Sequence, residues 1–319
     1  MARASSVPTR SPIAAMPPGR PVIVRAADGT RLHTEVFGPP HGYPIVLSHG
    51  FVCAIRFWAN QIADLSKDFR VIAFDHRGHG RSGMPRRGAY SLNHLAADLD
   101  AVLEATLDPG ERAVIAGHSM GGITVDAWSA RYRHRVAHYA DGIALINTTT
   151  GDLLDKIDLL PFPRRLVPTR RLAATNLIRL IGGLPVPPPL RMPIRPVVAM
   201  MAAGAAADPV VADYVYEMFE TTPPAGRGGC ARALIRELGH TYMNLSGLTV
   251  PTLVIGSHRD RLTPISQSRR IAEDVPNLFR LVELAGGHCS PLEQPAAVNA
   301  ELRALVAAVA TDPVREASS

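Results

Sequence analysis

The chain has 319 residues and a mass of 34.2 kDa, above the usual domain size yet compatible with one core that carries a large insertion. Its 46% hydrophobic and 19% charged content excludes disorder, collagen-like repeats and a disulfide-stapled mini-protein, and its longest apolar stretch, about Val197 to Ala207, falls far short of the ~20 residues that cross a bilayer. The net charge is +6, carried by arginine at every basic position except Lys67 and Lys156, a bias that reads as that of a GC-rich genome; with 5% aromatic residues and no basic block interleaved with aromatics, nucleic-acid binding is not supported.

In chain order, residues 1–20 hold Arg3, Arg10 and Arg20, no acid and no apolar run of signal-peptide length, which predicts a disordered tail on a cytoplasmic protein. The runs PVIVRAADG and RLHTEVFG predict two strands joined at the Asp28-Gly29 turn. The short Val- and Ile-rich runs Pro44 to Ser48, Arg70 to Asp75, Ala113 to Ala116 and Gly142 to Asn147 predict buried parallel strands. Helical spacing over Ile55 to Leu65, Leu92 to Ala105 and Met120 to Arg131 separates them, the alternation of a doubly wound sheet. From about Gly151 to Leu245 that rhythm stops, and Pro161 to Ala207 holds nine prolines and seven arginines without an acid. This segment is expected to be an insertion. Alternation resumes with a strand over Thr252 to Ser257, a helix from near Pro264, a strand over Phe279 to Leu284 and a closing helix over Pro295 to Ala310, beyond which a frayed end is expected.

The chemistry concentrates at strand ends. Gly117-His118-Ser119-Met120-Gly121 is a GxSxG between a predicted strand and a predicted helix, where a nucleophile elbow belongs. A serine hydroxyl needs a base and an acid that orients it. Asp260 follows the strand TLVIGS, and His288 follows FRLVELAG after two glycines, so the order is Ser, acid, His. Asp141 precedes its strand and is passed over as the acid. The backbone N–H groups of Phe51, in the loop after PIVLS, and of Met120 are the expected oxyanion donors. His49 is read as a buried loop anchor. Cys53, Cys230 and Cys289 are an odd number without CxxC spacing, which points away from disulfides and zinc. The scattered histidines lack metal-binding spacing, so no metal and no cofactor are expected.

The ordered set HGF, DHRGHGRS, GHSMGG, PTLVIGSHRD and GGHCSPLEQP resembles the α/β-hydrolase superfamily in its lipase, esterase and C–C hydrolase branch, over about Pro21 to Ala310. The resemblance implies an α/β fold with an eight-stranded, mostly parallel sheet, flanking helices and a helical cap inserted after strand 6. Residues 21–150 and 246–319 would form the core and 151–245 the cap. It implies Ser119 as nucleophile, His288 as general base and Asp260 as its orienting acid, with Asp75, Arg77 and Gly78 structural. Serine at the nucleophile position departs from the epoxide hydrolases and haloalkane dehalogenases, which attack through a carboxylate, and the oxyanion loop is not of the HGGG type. The expected activity is cleavage of carboxylic esters through an acyl-enzyme, on a small-molecule ester or acyl substrate that can be lipid-like. Thioesterase, C–C hydrolase and perhydrolase activities use the same triad, and a ligand-binding receptor with little turnover is the reading from another class. Arg164, Arg165, Arg170 and Arg171 beside apolar residues of the cap suggest weak contact with anionic membrane surfaces, and Met192, Met200, Met201 and Met218 could line an acyl pocket.

Overall fold

The computed structural model describes residues 13–156, 208–238 and 242–310, together with Thr169, 171–173, Thr175, Asn176, Ile178, Arg179 and Arg195. Eight strands form one sheet: β1 (Arg20–Arg25), β2 (Arg31–Phe37), β3 (Pro44–Ser48), β4 (Arg70–Phe74), β5 (Ala113–His118), β6 (Ala140–Ile146), β7 (Thr252–Ser257) and β8 (Leu278–Leu284). Their order is β1-β2-β4-β3-β5-β6-β7-β8. The β1–β2 and β2–β4 pairs are antiparallel, and the remaining neighbours run parallel. Every residue of β3 to β7 is buried, as required of strands covered on both faces. The first hairpin closes with Gly29 at φ +82°, a conformation glycine adopts without a Cβ penalty.

Successive strand residues point to opposite faces, so the sheet has two cores. Val46, Ile72, Ile115 and Leu145 belong to one, with α2 (Leu92–Thr106) and α3 (Met120–Arg131). Ile45, Val71, Val114 and Ile146 belong to the other, with α1 (Ala59–Leu65) and, near the C-terminus, the closing helix Pro295–Ala310. Residues 13–20 were expected within the disordered tail, but Ile13 and Met16 pack against this second core and the Ala14 amide donates to Asn60 Oδ1 at 2.8 Å. The apolar side chains anchor a segment too short to show a strand pattern; residues 1–12 and 311–319 lie outside the described residues.

The single helix predicted over Ile55 to Leu65 divides into a 3-10 turn, Ile55–Trp58, in which the Phe57 amide donates three residues back to Ala54 O at 2.9 Å, and α1; the Ile55 amide is capped by Asp75 Oδ1 at 2.7 Å. A helix absent from the expectation, α4 (Arg133–Tyr139), buries only Val136 and Tyr139. Its RHRVAHY sequence has too few apolar positions to show a helical period. Between β6 and β7 lie α5 (Leu153–Lys156), α6 (Pro209–Thr221) and α7 (Pro224–Leu238). An antiparallel bridge between Gly151 and Tyr242 joins the two ends of this segment. After β7 come α8 (Ile265–Asp274), the short α9 (Ser290–Glu293) and α10, the closing helix already described. Of the residues assigned to the expected cap, Arg164, Arg165 and Arg170, and Met192, Met200 and Met201, lie outside the described residues.

Asp75, Arg77 and Gly78 hold the loop after β4. Asp75 accepts the Ile55 and Arg81 amides at 2.7 and 2.8 Å, and Arg77 donates Nε and Nη2 to Asp98, both at 2.6 Å. Gly78 sits at φ +71°.

One buried group works against the fold. Asp126 on α3 is fully buried, and neither carboxyl oxygen has a hydrogen-bond partner among the described residues. Burial pushes its pKa well above the ordinary value, so the folded chain holds a proton there that the unfolded chain releases above pH ~4. With more protons bound in the folded state, stability falls as pH rises through that window. Asp126→Ala is therefore expected to raise stability at pH 7 by about 1–3 kcal/mol, with the gain shrinking towards pH 4. Urea midpoints at pH 7 and pH 4.5 test this; a lower midpoint at pH 7 would refute it.

Candidate active site

The chain leaves β3 towards β4 on one side and returns to form β5 on the other, so β3 and β5 are neighbours from which the connections diverge. Such a switch point opens a crevice at the carboxyl ends of the strands. The Gly50–Cys53 loop after β3 and Ser119 after β5 stand at that edge, with the ends of β6, β7 and β8 beyond them.

Ser119 has φ +53° and ψ −118° at the N-terminus of α3, a conformation that costs a non-glycine residue of order 1–3 kcal/mol. Its neighbours have no room for side chains. A Cβ on Gly117 would lie 2.5 Å from the Gly121 carbonyl carbon, and one on Gly121 would lie 2.5 Å from the Ser48 carbonyl carbon and closer still to its oxygen. The turn is thus wedged between α3 and the end of β3. Ser119 is held by its own amide, which donates to Ile146 O at 3.0 Å, and by its carbonyl, which accepts Thr148 Oγ1 at 2.7 Å.

His288 Nδ1–H donates to Asp260 Oδ2 at 2.8 Å, which leaves Nε2 as the unprotonated nitrogen of the neutral ring. The Asp260 carboxylate is saturated: Oδ1 accepts the Leu262 and Thr263 amides at 2.9 and 2.8 Å, and Oδ2 also accepts Thr263 Oγ1 at 2.7 Å and Asn147 Nδ2 at 3.0 Å. Burial alone would raise the Asp260 pKa, but the charge and hydrogen bond of His288 and the bonds from Thr263 outweigh it and hold the carboxyl below the ordinary range. Asp141, passed over as the acid, lies near the start of β6, away from the carboxyl edge, and binds Tyr43 and Arg112.

Sequence reasoning missed three residues that fix this arrangement. Asn147, fully buried at φ +43°, donates Nδ2 to both Asp260 Oδ2 and Ser257 Oγ at 3.0 Å and accepts Ser290 Oγ at 2.5 Å. Glu293 accepts the Gly287 amide at 2.7 Å and the Cys289 amide at 3.0 Å, gripping the backbone on both sides of His288. His118 Nε2–H donates to the His288 carbonyl at 2.8 Å. Burial, aided by the His288 charge, lowers the His118 pKa to about 3, so the ring stays neutral 4.9 Å from the His288 ring. Only Glu293 left a local signal, its spacing of five residues from His288 in HCSPLE.

His49 is a buried anchor: its Nδ1–H donates to Gly50 O at 2.8 Å and its Nε2 accepts the His76 amide at 3.1 Å. This braces the loop that carries Phe51, and neither the Phe51 nor the Met120 amide donates a hydrogen bond among the described residues. The next residue, Val52, sits at φ +57°, an outlier for a β-branched side chain.

A cavity of about 140 Å³ opens over Ser119 and His288. Phe51, Val52, Cys53 and Met120 line it from the core; Ile123, Leu153, Val215, Phe219 and Leu234 line it from α3 and the β6–β7 segment. Met218, the one pocket methionine expected from the sequence among the described residues, is buried in the second core and is not part of this lining. Burial pushes the Cys53 thiol up to about 12 and the Cys289 thiol well above its ordinary value, so both line the cavity as protonated, weakly polar groups. Among the described residues no group of three or more His, Cys, Asp or Glu side chains is arranged to hold a metal ion, and no helix is long and apolar enough to cross a membrane.

Comparison with known proteins agrees with this architecture. Residues 45–301 match the model of the alpha/beta hydrolase family. The chain is 29% identical over 289 residues to RutD of Variovorax paradoxus (strain S110), covering 89% of this chain and 98% of that one. It is 26% identical over 291 residues to "Probable oxidoreductase EphD" of Mycobacterium tuberculosis (strain ATCC 25618 / H37Rv), covering 86% of this chain but only 47% of that longer protein. The solved structure of the enol-lactonase from Burkholderia xenovorans LB400 superposes with a TM-score of 0.68 at 28% identity, over 91% of this chain and 100% of that one. With the family model matching residues 45–301, well over half of the chain, this chain belongs to the alpha/beta hydrolase family.

Proposed function

We propose that the chain is a serine hydrolase of carboxylic esters, with Ser119 as nucleophile, His288 as general base, Asp260 as the acid that orients it, and the Phe51 and Met120 amides as oxyanion donors. The observation that carries this reading is the 2.8 Å bond from His288 Nδ1 to Asp260 Oδ2 beside a strained serine that opens into the same cavity. Ser119 Oγ attacks the ester carbonyl while His288 Nε2 takes its proton. The oxyanion is held by the two amides, and His288 then protonates the leaving alcohol. Water, deprotonated by His288, attacks the acyl-enzyme, and His288 returns that proton to Ser119 Oγ as the acid leaves. Asp260 remains a carboxylate throughout and stabilises the imidazolium, which its lowered pKa favours.

Residues 151–245 are read as a cap over this site, since Val215 and Phe219 of α6 and Leu234 of α7 contribute to the cavity wall. The test is turnover of chromogenic esters from acetate to palmitate, together with labelling by a fluorophosphonate and location of the label by peptide mass. Ester hydrolysis with the label on Ser119 is expected. A label elsewhere, or a labelled Ser119 with no ester turned over, would count against the reading.

A further inference from the structure

We propose that His118 is a positioning residue that keeps Ser119 and His288 in register, and that it does so through the bond from its Nε2–H to the His288 carbonyl rather than through its packing; this rests on the serine hydrolase reading above. His118 ends β5 and precedes Ser119 in the chain, while His288 arrives on the loop after β8, 170 positions later. The 2.8 Å bond therefore runs from the nucleophile's neighbour straight to the residue that supplies the base. Glu293, Asp260 and Asn147 brace the base from its own loop and from the ends of β7 and β6, and none of these three side chains bonds to the Gly117–Gly121 turn among the described residues.

Packing does not account for a histidine at this place. The buried ring stacks on Phe57 with centroids 4.4 Å apart and planes at 27°, and Trp58 stands edge-on at 6.3 Å. An apolar ring would satisfy both contacts. A carbonyl only accepts, so Nε2 carries the proton and Nδ1 is bare. Burial, and after it the His288 charge, hold the His118 pKa at about 3, so this neutral form persists through the range in which the base works. The bare Nδ1 is buried without a partner among the described residues, which costs free energy that an apolar ring would spare. What the histidine gains for that cost is the Nε2–H bond. The same ring also meets the oxyanion loop: a Cβ on Gly50 would lie 2.8 Å from His118 Nδ1 and 3.2 Å from Ser119 Cβ. His118 thus joins the elbow, the oxyanion loop and the base, and without the bond only packing would hold the base loop to the other two. A shift of ~1 Å between nucleophile and base costs on the order of 100-fold in rate.

The test measures kcat and KM on p-nitrophenyl butyrate, the rate of Ser119 labelling by a fluorophosphonate, and the urea midpoint, for wild type, His118→Phe, His118→Asn and His118→Gln. Phenylalanine keeps the stack on Phe57 and loses the bond. Glutamine places an amide N–H near the Nε2 position and loses the stack, and asparagine is polar but too short to reach the carbonyl. His118→Phe and His118→Asn should lower kcat and the labelling rate on the order of 100-fold at unchanged KM, and His118→Gln should recover most of that loss. Urea midpoints should run the other way, with His118→Phe at or above wild type and His118→Gln below it. Activity that follows the midpoints, or His118→Phe working at the wild-type rate, would overturn the proposal; if His118→Gln does not fold, the His118→Phe result decides alone. A wild-type Ser119 labelled without ester turnover would end the esterase reading, while the labelling rates would still decide the role of His118. A wild-type Ser119 that takes no label would overturn both.

Discussion

Ser119→Ala is expected to lower ester turnover by about 10⁴- to 10⁶-fold while leaving the urea midpoint within error of wild type. Alanine keeps the Cβ and removes only the nucleophilic oxygen, so the strained φ of +53° persists. Ser119→Gly should lose turnover equally but gain about 1–2 kcal/mol of stability, because glycine removes the Cβ that the left-handed conformation penalises. Asp260→Asn should cost about 10⁴-fold in kcat. An amide at that position presents a donor where the His288 Nδ1–H now finds an acceptor at 2.8 Å, which favours the wrong tautomer. Rates on a single chromogenic ester, with circular dichroism to show that the variants fold, decide the matter. Turnover by Ser119→Ala near the wild-type rate would remove Ser119 from the mechanism.

Gly121→Ala is expected to cost about 3 kcal/mol or more. The added carbon would meet the Ser48 carbonyl of β3 at 2.5 Å from its carbon, a contact with backbone that no rotamer relieves. Relief requires α3 to withdraw from the end of β3, which would also move Ser119 and the Met120 amide. Gly122→Ala is the control. Its Cβ would meet the Thr148 side chain at 2.6 to 2.8 Å, and a side chain yields at smaller cost than backbone, although Thr148 then gives up its bond to Ser119 O. Thermal midpoints of the two variants should differ by several degrees, with Gly121→Ala the lower. Equal midpoints would show that the elbow tolerates displacement.

The strands were legible because each is a local apolar run, and even their bounds came within two residues of the structure at β5, β6 and β8. The GxSxG was legible because the steric need for glycine at Gly117 and Gly121 is written within five consecutive residues. By contrast, α4 carries too few apolar side chains to reveal a period, and the cap on the Ile55 amide comes from Asp75, a residue at the next strand's end.

Sequence order alone determined that a serine, an acid and a histidine would each follow a strand, since strand runs and glycine turns are properties of neighbouring residues. Tertiary structure decided what surrounds them. Asn147 reaches Asp260 across 113 positions, and His118 reaches His288 across 170. Such bonds follow from the order in which strands lie side by side, which no local pattern encodes. The cavity was likewise decided by packing: its described walls come from segments between Gly50 and Cys289, and a void exists only where side chains distant in sequence fail to meet. Asp126 belongs to the same class. Its place on α3 reads from the sequence as an ordinary polar helix position, and only the neighbouring helices and strands that cover α3 turn it into a buried carboxyl without a partner among the described residues.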